Sequence, residues 1–345
     1  MKIRSLYCAC NERTDNPLDH YEKVDCGATP LGRPERMPLE WIRAILTNAQ
    51  GDGRHTDGKM TATRVLGCPR ETMIKDYHPI VYDVRSGNST YHGTILHKAL
   101  EENARADYRA EVEIPEFEFG GYRVSGYSDV VAANGALIKD WKGHAETSHG
   151  FKYERFKKGK LDVEGAAQIN LYRIGLAKAR GVDPGTYRPK LLLVHGANVR
   201  HGSEPWFEAE QPIMSEGQIL ALRPFDDEDH PGTQPYTVAD LMKQHAEADK
   251  AIKAVLANPR LVAADKTVAV DRIIAAMPLV GKNVWRWRWN KAVRRKEKQA
   301  VGDKCAKYCA AARDCAWLQL FKQADGTGIK PPMPADPVAV LGGGE

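Results

Sequence analysis

No stretch of the 345-residue chain approaches the roughly 20 consecutive apolar residues that a membrane-spanning helix needs, so no membrane partner is expected. Near the start, polar Asn11, Glu12 and Arg13 arrive before any apolar run develops, which excludes the pattern of a secretory signal and suggests a cytoplasmic address. Neither sign of charge is in large excess. Fifty Lys and Arg against 45 Asp and Glu give a net charge of +5, compatible with a nucleic-acid partner but no proof of one. The seven cysteines are an odd number in a chain without an export signal, so a disulfide framework is not expected and metal ligation becomes the better question. A hydrophobic fraction of 42% and a charged fraction of 28% exclude extensive disorder, and the length supports one elaborated domain or two modest ones.

Breakers dominate residues 1–37 (Asn16-Pro17, Gly27-Ala28-Thr29-Pro30, Gly32-Arg33-Pro34), which read as an irregular extension before a short helical pattern from Pro38 to Ala49. Ser89 or Thr90 can cap a helix in which Ile95, Leu96, Ala99 and Leu100 form an apolar stripe and which contains His97. β-type runs follow at Val112 to Phe119, Tyr122 to Val131 and Ala136 to Trp141. A helix is expected from about Val163 to Ala179, and Leu191 to Val194 reads as a buried strand. Helix, strands, helix and strand in that order predict an α/β (α+β) core with a mixed sheet flanked by helices. Residues 201–235 read as polar and turn-rich, Val238 to Leu256 as a long helix, and residues 331–345 as a flexible tail.

Asn134-Gly135 is a strong hairpin signal. With these two residues at the centre of the turn, Ala133 faces Ala136 and Asp129 falls directly opposite Asp140. Cross-strand Cβ atoms lie about 4.5 to 5.5 Å apart, a spacing at which two acids repel. A divalent cation, Mg²⁺ or Mn²⁺, removes that repulsion, because such ions take one or two carboxylates together with water and phosphate oxygens. Lys142 lies two residues beyond Asp140 on the same strand face. There its ammonium can orient or help deprotonate an attacking water, or balance charge on a phosphoryl group.

Three further groups of residues carry chemistry. Cys305, Cys309 and Cys315 form a compact trio, and distant Cys68 completes a set of four thiols able to hold a [4Fe-4S] cluster or a tetrahedral Zn²⁺ ion. The segment Trp285-Arg286-Trp287-Arg288-Trp289 alternates indole and guanidinium; bases can stack on it while phosphates meet its charges, or the tryptophans can simply pack. Lys152, Arg155, Lys157, Lys158 and Lys160 form a second candidate phosphate-binding stretch.

Taken in order, Gly93-Thr94-Ile95-Leu96-His97, Gly126-Tyr127-Ser128-Asp129, Asp140-Trp141-Lys142 and Gln168-Ile169-Asn170-Leu171-Tyr172 resemble the four motifs of the RecB-like branch of the PD-(D/E)xK nucleases. That group includes the CRISPR-associated adaptation exonuclease and AddB-type nuclease domains. The resemblance implies a restriction-endonuclease-like core with a helical metal-cluster lobe. It makes His97, Asp129 and Asp140 the metal ligands and Lys142 the catalytic amine, with Gln168 and Tyr172, one helical turn apart, guiding the DNA strand. It also favours iron over zinc at the four cysteines, although three residues stand between Cys305 and Cys309 where the group usually has two. The implied organisation is an N-terminal extension at 1–60, a nuclease core at 61–200, a helical insertion with the Trp/Arg segment at 201–300, and a cysteine segment at 301–330 that closes onto Cys68.

The expected activity is therefore a divalent-metal-dependent DNA exonuclease acting on single strands or free ends in recombination, repair or end processing, alongside proteins of those processes. An endonuclease with the same centre and a DNA-binding accessory subunit are the rival readings.

Overall fold

The computed structural model describes residues 3–7, 13–14, 43–47, 60–78, 80–104, 106–144, 163–195, 206–223, 236–277, 286–290 and 295–299. In chain order they form strands β1 (Ile3–Tyr7), β2 (Arg13–Thr14) and β3 (Met60–Thr61), helices α1 (Ala62–Val65) and α2 (Pro69–Tyr77), strand β4 (Ile80–Asp83) and helix α3 (Val84–Glu102). Next come β5 (Tyr108–Phe119), β6 (Tyr122–Ala132), β7 (Leu137–His144), α4 (Val163–Arg180), β8 (Arg188–His195) and β9 (Trp206–Glu210). Helices α5 (Glu216–Ala221), α6 (Val238–Ala257) and α7 (Ala263–Ala276) precede a final hairpin, β10 (Arg286–Asn290) with β11 (Arg295–Gln299).

Six strands make one mixed sheet in the order β3-β6-β7-β8-β9, with β5 also on β6. β5, antiparallel to β6, pairs along nearly its whole length. Two short pairings share the remaining edge of β6: parallel β3 at Val124 and Ser125, and antiparallel β7 at Val130 and Val131. Between them Gly126, Tyr127, Ser128 and Asp129 have no ladder partner on that edge among the described residues. β7 continues instead along β8, in a parallel ladder from Leu137↔Arg188 to His144↔His195.

Helix α4 lies against β5, β6, β7 and β8. It is buried on every face from Gly165 to Ala177, polar Gln168, Asn170 and Arg173 included. Gly175 permits the close approach to β5: a Cβ there would lie 2.3 Å from Phe117 Cε1 and 2.6 Å from Ile114 Cγ2. Buried Asn170 and Arg173 satisfy each other and tie down the segment after β9. Asn170 Nδ2 donates to Pro212 O, Asn170 Oδ1 accepts from Met214 N, and an Arg173 Nη donates to Met214 O. The other end of the molecule is held by buried Arg70 of α2, which donates to Ala275 O and Met277 O and so satisfies carbonyls left unpaired at the end of α7.

The mixed α/β architecture agrees with the sequence expectation, and four local expectations are corrected. Residues 1–37 are not wholly irregular, because β1 pairs parallel with β4 and antiparallel with β2. The 201–235 stretch contains β9 and α5, the helix started by a capping box between Ser215 and Gln218. The hairpin turn lies one residue earlier than expected: Gly135 N donates to Ala132 O, Asn134 Oδ1 accepts from Ala136 N, and Gly135 has φ +73°. A backbone turn at Ala133-Asn134 closed by a left-handed glycine replaces the type I′ turn, since Asn134 does not adopt the positive φ that turn demands. Finally, the packed side of α3 is not the expected stripe. Ile95 is 40% exposed and Ala99 is exposed as well, whereas Gly93, Leu96, His97 and Leu100 are half-buried, so that His97 turns toward the sheet.

Candidate metal centre

Asp129 and Asp140 come from neighbouring strands. The β6–β7 register is Val130↔Lys139 and Val131↔Ile138, and one further step puts Asp129 across from Asp140, as the hairpin reading required. No backbone pairing occurs at that step. Asp129 Oδ2 instead accepts from Trp141 N at 2.5 Å, so a side-chain carboxylate takes the ladder position of a carbonyl. Both acids are buried. Burial, reinforced by the Asp140 carboxylate, pushes the Asp129 carboxyl up to about 8, although the Trp141 N–H and Lys142 act in the opposite direction.

His97 reaches this point from α3. The ring nitrogen facing Trp141 O, Nε2 at 3.0 Å, must be the donor because a carbonyl only accepts. In the neutral ring this leaves the Nδ1 lone pair facing Asp129 Oδ1, 3.6 Å away. A lone pair opposed to a carboxylate calls for a proton or a cation between them. An imidazole whose other nitrogen donates to a backbone carbonyl is also the usual arrangement of a histidine metal ligand.

Glu111, which the sequence reading missed, completes the group. Potential ligand atoms of His97, Glu111 and Asp129 all lie within 4.8 Å of one another. β5 and β6 pair at Ala110↔Val130 and Val112↔Ser128, which sets Glu111 at the level of Asp129. Glu111 has φ +49°, unique among the described non-glycine residues, and a left-handed backbone there interrupts the pleat next to the site. The Gly120-Gly121 turn would by simple counting set Val112 opposite Asp129. A register shift between Ile114 and Phe117 moves the partner to Glu111, at Pro115, a residue with no N–H to give a ladder.

Glu111 thus joins His97 and Asp129 of the expected set as a residue able to hold an ion, while Asp140 Oδ2 is paired with Lys142 Nζ at 2.7 Å. Burial favours the neutral amine of Lys142, but the Asp140 carboxylate outweighs it and holds the ammonium above the ordinary lysine range. Lys142 Nζ also donates to Gln168 Oε1 at 3.0 Å, and Gln168 Nε2 donates to Tyr172 OH at 2.8 Å. Gln168 and Tyr172 are buried, with their polar ends turned toward Lys142. They remain one turn apart on one face of α4, as their spacing required.

Cys68 precedes α2 as a half-buried thiol packed with Tyr236 against Leu241. Cys305, Cys309 and Cys315 lie outside the described residues, as do Lys152, Arg155 and Trp285. Arg286, Trp287 and Arg288 belong to β10, paired with Gln299, Lys298 and Glu297 of β11. No helix among the described residues is long and apolar enough to cross a membrane.

No protein-family model matches the sequence, and no curated protein matches it. Among solved structures a partial likeness is found to the crystal structure of SSO0001, with a TM-score of 0.35 and 15% identity, covering 70% of this chain and 96% of that chain.

Proposed function

We propose that the chain is a divalent-metal-dependent deoxyribonuclease of the PD-(D/E)xK type that hydrolyses phosphodiester bonds at DNA ends. The observation that carries this reading is the convergence of His97, Glu111 and Asp129 beside the Asp140–Lys142 ion pair, where burial and the Asp140 carboxylate disfavour the charge of Asp129.

The donor set fits a hard or borderline divalent cation: carboxylate oxygens with one imidazole nitrogen suit Mg²⁺ or Mn²⁺. His97, Glu111 and Asp129 would hold it, with Asp140 alongside. When bound, such an ion polarises a phosphoryl oxygen and lowers the pKa of water. The Trp141 N–H keeps one oxygen of Asp129 occupied and leaves the other for the site. Trp141 O fixes the His97 ring through Nε2. Lys142, held as an ammonium by Asp140, supplies an N–H donor and a positive charge to a phosphoryl oxygen in the transition state and is not free to act as a base.

The four-cysteine set, Cys68 with Cys305, Cys309 and Cys315, belongs to the same proposal as a structural [4Fe-4S] site. Iron near four atoms per chain in an anaerobic preparation supports it, and zinc without iron replaces it.

The activity test incubates purified protein with Mn²⁺ and end-labelled linear DNA, single- and double-stranded, in parallel with circular single strands. Metal-dependent shortening of linear DNA with circles intact is expected, and cut circles would make the enzyme an endonuclease. Asp140→Ala and Lys142→Ala should abolish cleavage with the circular dichroism spectrum unchanged. Near-normal cutting by either purified variant, or no product from the parent protein on any DNA, rejects the proposal.

A further inference from the structure

The ammonium of Lys142 faces two oxygens among the described residues: Asp140 Oδ2, its ion-pair partner at 2.7 Å, and Gln168 Oε1, which accepts its hydrogen bond at 3.0 Å. An ammonium only donates, so the Gln168 amide has to present its oxygen to Lys142. Its NH₂ group is thereby turned to Tyr172, whose hydroxyl oxygen accepts at 2.8 Å. Polarity is fixed along the whole chain from Lys142 to Tyr172, with no alternative orientation of the amide. Gln168 and Tyr172 are both sheltered from water, at 7% and 6% exposure, so solvent does not compete readily for the bond between them.

The tyrosine is itself seated by the sheet. Its ring lies over Gly126, where an added Cβ would come within 2.8 Å of Tyr172 Cε1. Gly126 falls in the part of β6 that lacks a ladder partner on its β7 edge, three residues before Asp129. The strand that carries one carboxylate therefore also locates the far end of the chain that holds the lysine.

We propose that Gln168 and Tyr172 are positioning residues for Lys142, acting through the Gln168 amide, and do not contact the DNA strand. One ammonium N–H is committed to Gln168 Oε1, and the Asp140 carboxylate holds the charge beside it; together they restrain where the ammonium lies and how it turns, leaving a remaining N–H available to a phosphoryl oxygen. Without Gln168 the ammonium keeps only its undirected ion pair with Asp140, and the four-carbon stem regains rotamer freedom. This deepens the nuclease reading and rests on it for its catalytic consequence, whereas the restraint on Lys142 is testable without any turnover.

The experiment uses the full-length protein and three variants: Gln168→Leu, which removes the acceptor, Gln168→Glu, which keeps it, and Tyr172→Phe, which keeps the ring and its packing but removes the hydroxyl. Reductive methylation of metal-free protein, followed by peptide mass spectrometry, reads the accessibility and freedom of Lys142 directly. Steady-state cleavage of labelled DNA with Mn²⁺ reads the consequence. Gln168→Leu should speed Lys142 methylation and lower kcat roughly tenfold, as expected for one charge-assisted hydrogen bond, with KM held within about twofold. Gln168→Glu should restore slow methylation. Tyr172→Phe should move both readouts in the same direction as Gln168→Leu, by less, and decides the question alone should the leucine variant not fold.

Unchanged methylation in Gln168→Leu, or in Tyr172→Phe when that variant stands alone, overturns the inference. A raised KM with kcat preserved overturns it too, because that pattern belongs to direct substrate contact. A parent protein with no turnover on any DNA removes the nuclease reading, and the methylation comparison still decides whether Gln168 restrains Lys142.

Discussion

Asp129 Oδ2 accepts the Trp141 backbone N–H at 2.5 Å, and this single contact joins β6 to β7 at the point where their ladder stops. It also keeps a carboxyl group in a setting that disfavours its charge. The carboxyl is raised from 3.8 to about 8, by burial first and by Asp140 second. A raised acid binds more protons folded than unfolded, so the metal-free protein loses stability as pH climbs through that window. Asp129→Asn keeps an oxygen for Trp141 and removes the charge. It should be more stable than the parent near pH 8 in chelator, on the order of 5 kcal/mol, with no such advantage near pH 4. Thermal melts across pH measure this, and Mn²⁺ should raise the melting temperature of the parent only.

Glu111 combines ligand geometry with a backbone that a β-carbon resists. A left-handed residue other than glycine costs roughly 1 kcal/mol, so Glu111→Gly should leave the melting temperature unchanged or raise it, although glycine normally weakens a strand interior. The same change should weaken Mn²⁺ binding at least about tenfold, as should Glu111→Gln, which keeps the shape of the side chain. Calorimetric titration checks the affinity. A Glu111→Gly variant that melts much lower than the parent would contradict the account of strain.

Two glycines should respond differently to an added methyl. Gly175→Ala drives a Cβ toward both Phe117 and Ile114 at the α4–β5 contact and should destabilise by about 1–3 kcal/mol in urea titration. Gly126→Ala meets only the Tyr172 ring. Its cost in stability should be the smaller, and its larger effect should appear on turnover, through displacement of Tyr172 from Gln168.

His245 of α6 is buried, and its Nε2 has no hydrogen-bond partner among the described residues. Burial, helped by the nearby Arg64 charge, lowers it from 6.5 to about 4. Its folded form binds fewer protons than the unfolded chain between those values. Stability is fully present above the unfolded pKa and is lost as pH falls through the window, by about 3 kcal/mol at its lower end. His245→Leu should flatten this part of the pH–stability curve, and denaturant titrations from pH 7 down to 4 follow it.

Much of the site's scaffold could be read from local pattern. Alternation marked β6 and β7, and the Asn134-Gly135 pair set their register even though the turn proved to be of another kind, because both turns return the chain in the same pairing. The spacing of Asp140 and Lys142 gave a shared strand face, and the two residues form an ion pair. Gln168 and Tyr172 were expected on one helical face and are there. Where their polar ends turn could not be read from that spacing, since one face of an isolated helix says nothing about what covers it, and α4 is covered all round.

What the sequence determined by itself were relations between residues on one element or across one tight turn, where strand and helix periods act over a few positions. Glu111 joined the site only through a register slip at Pro115 and a left-handed backbone, neither visible in a period-two pattern. His97 faced the carboxylates only once α3 had chosen which side to pack, a side that takes in Leu96 and Leu100 of the apolar stripe but leaves Ile95 and Ala99 exposed. Tertiary structure decided these because a helix's rotation and a strand's partner depend on the surfaces that meet, and their packing energy exceeds the local preference of any single residue.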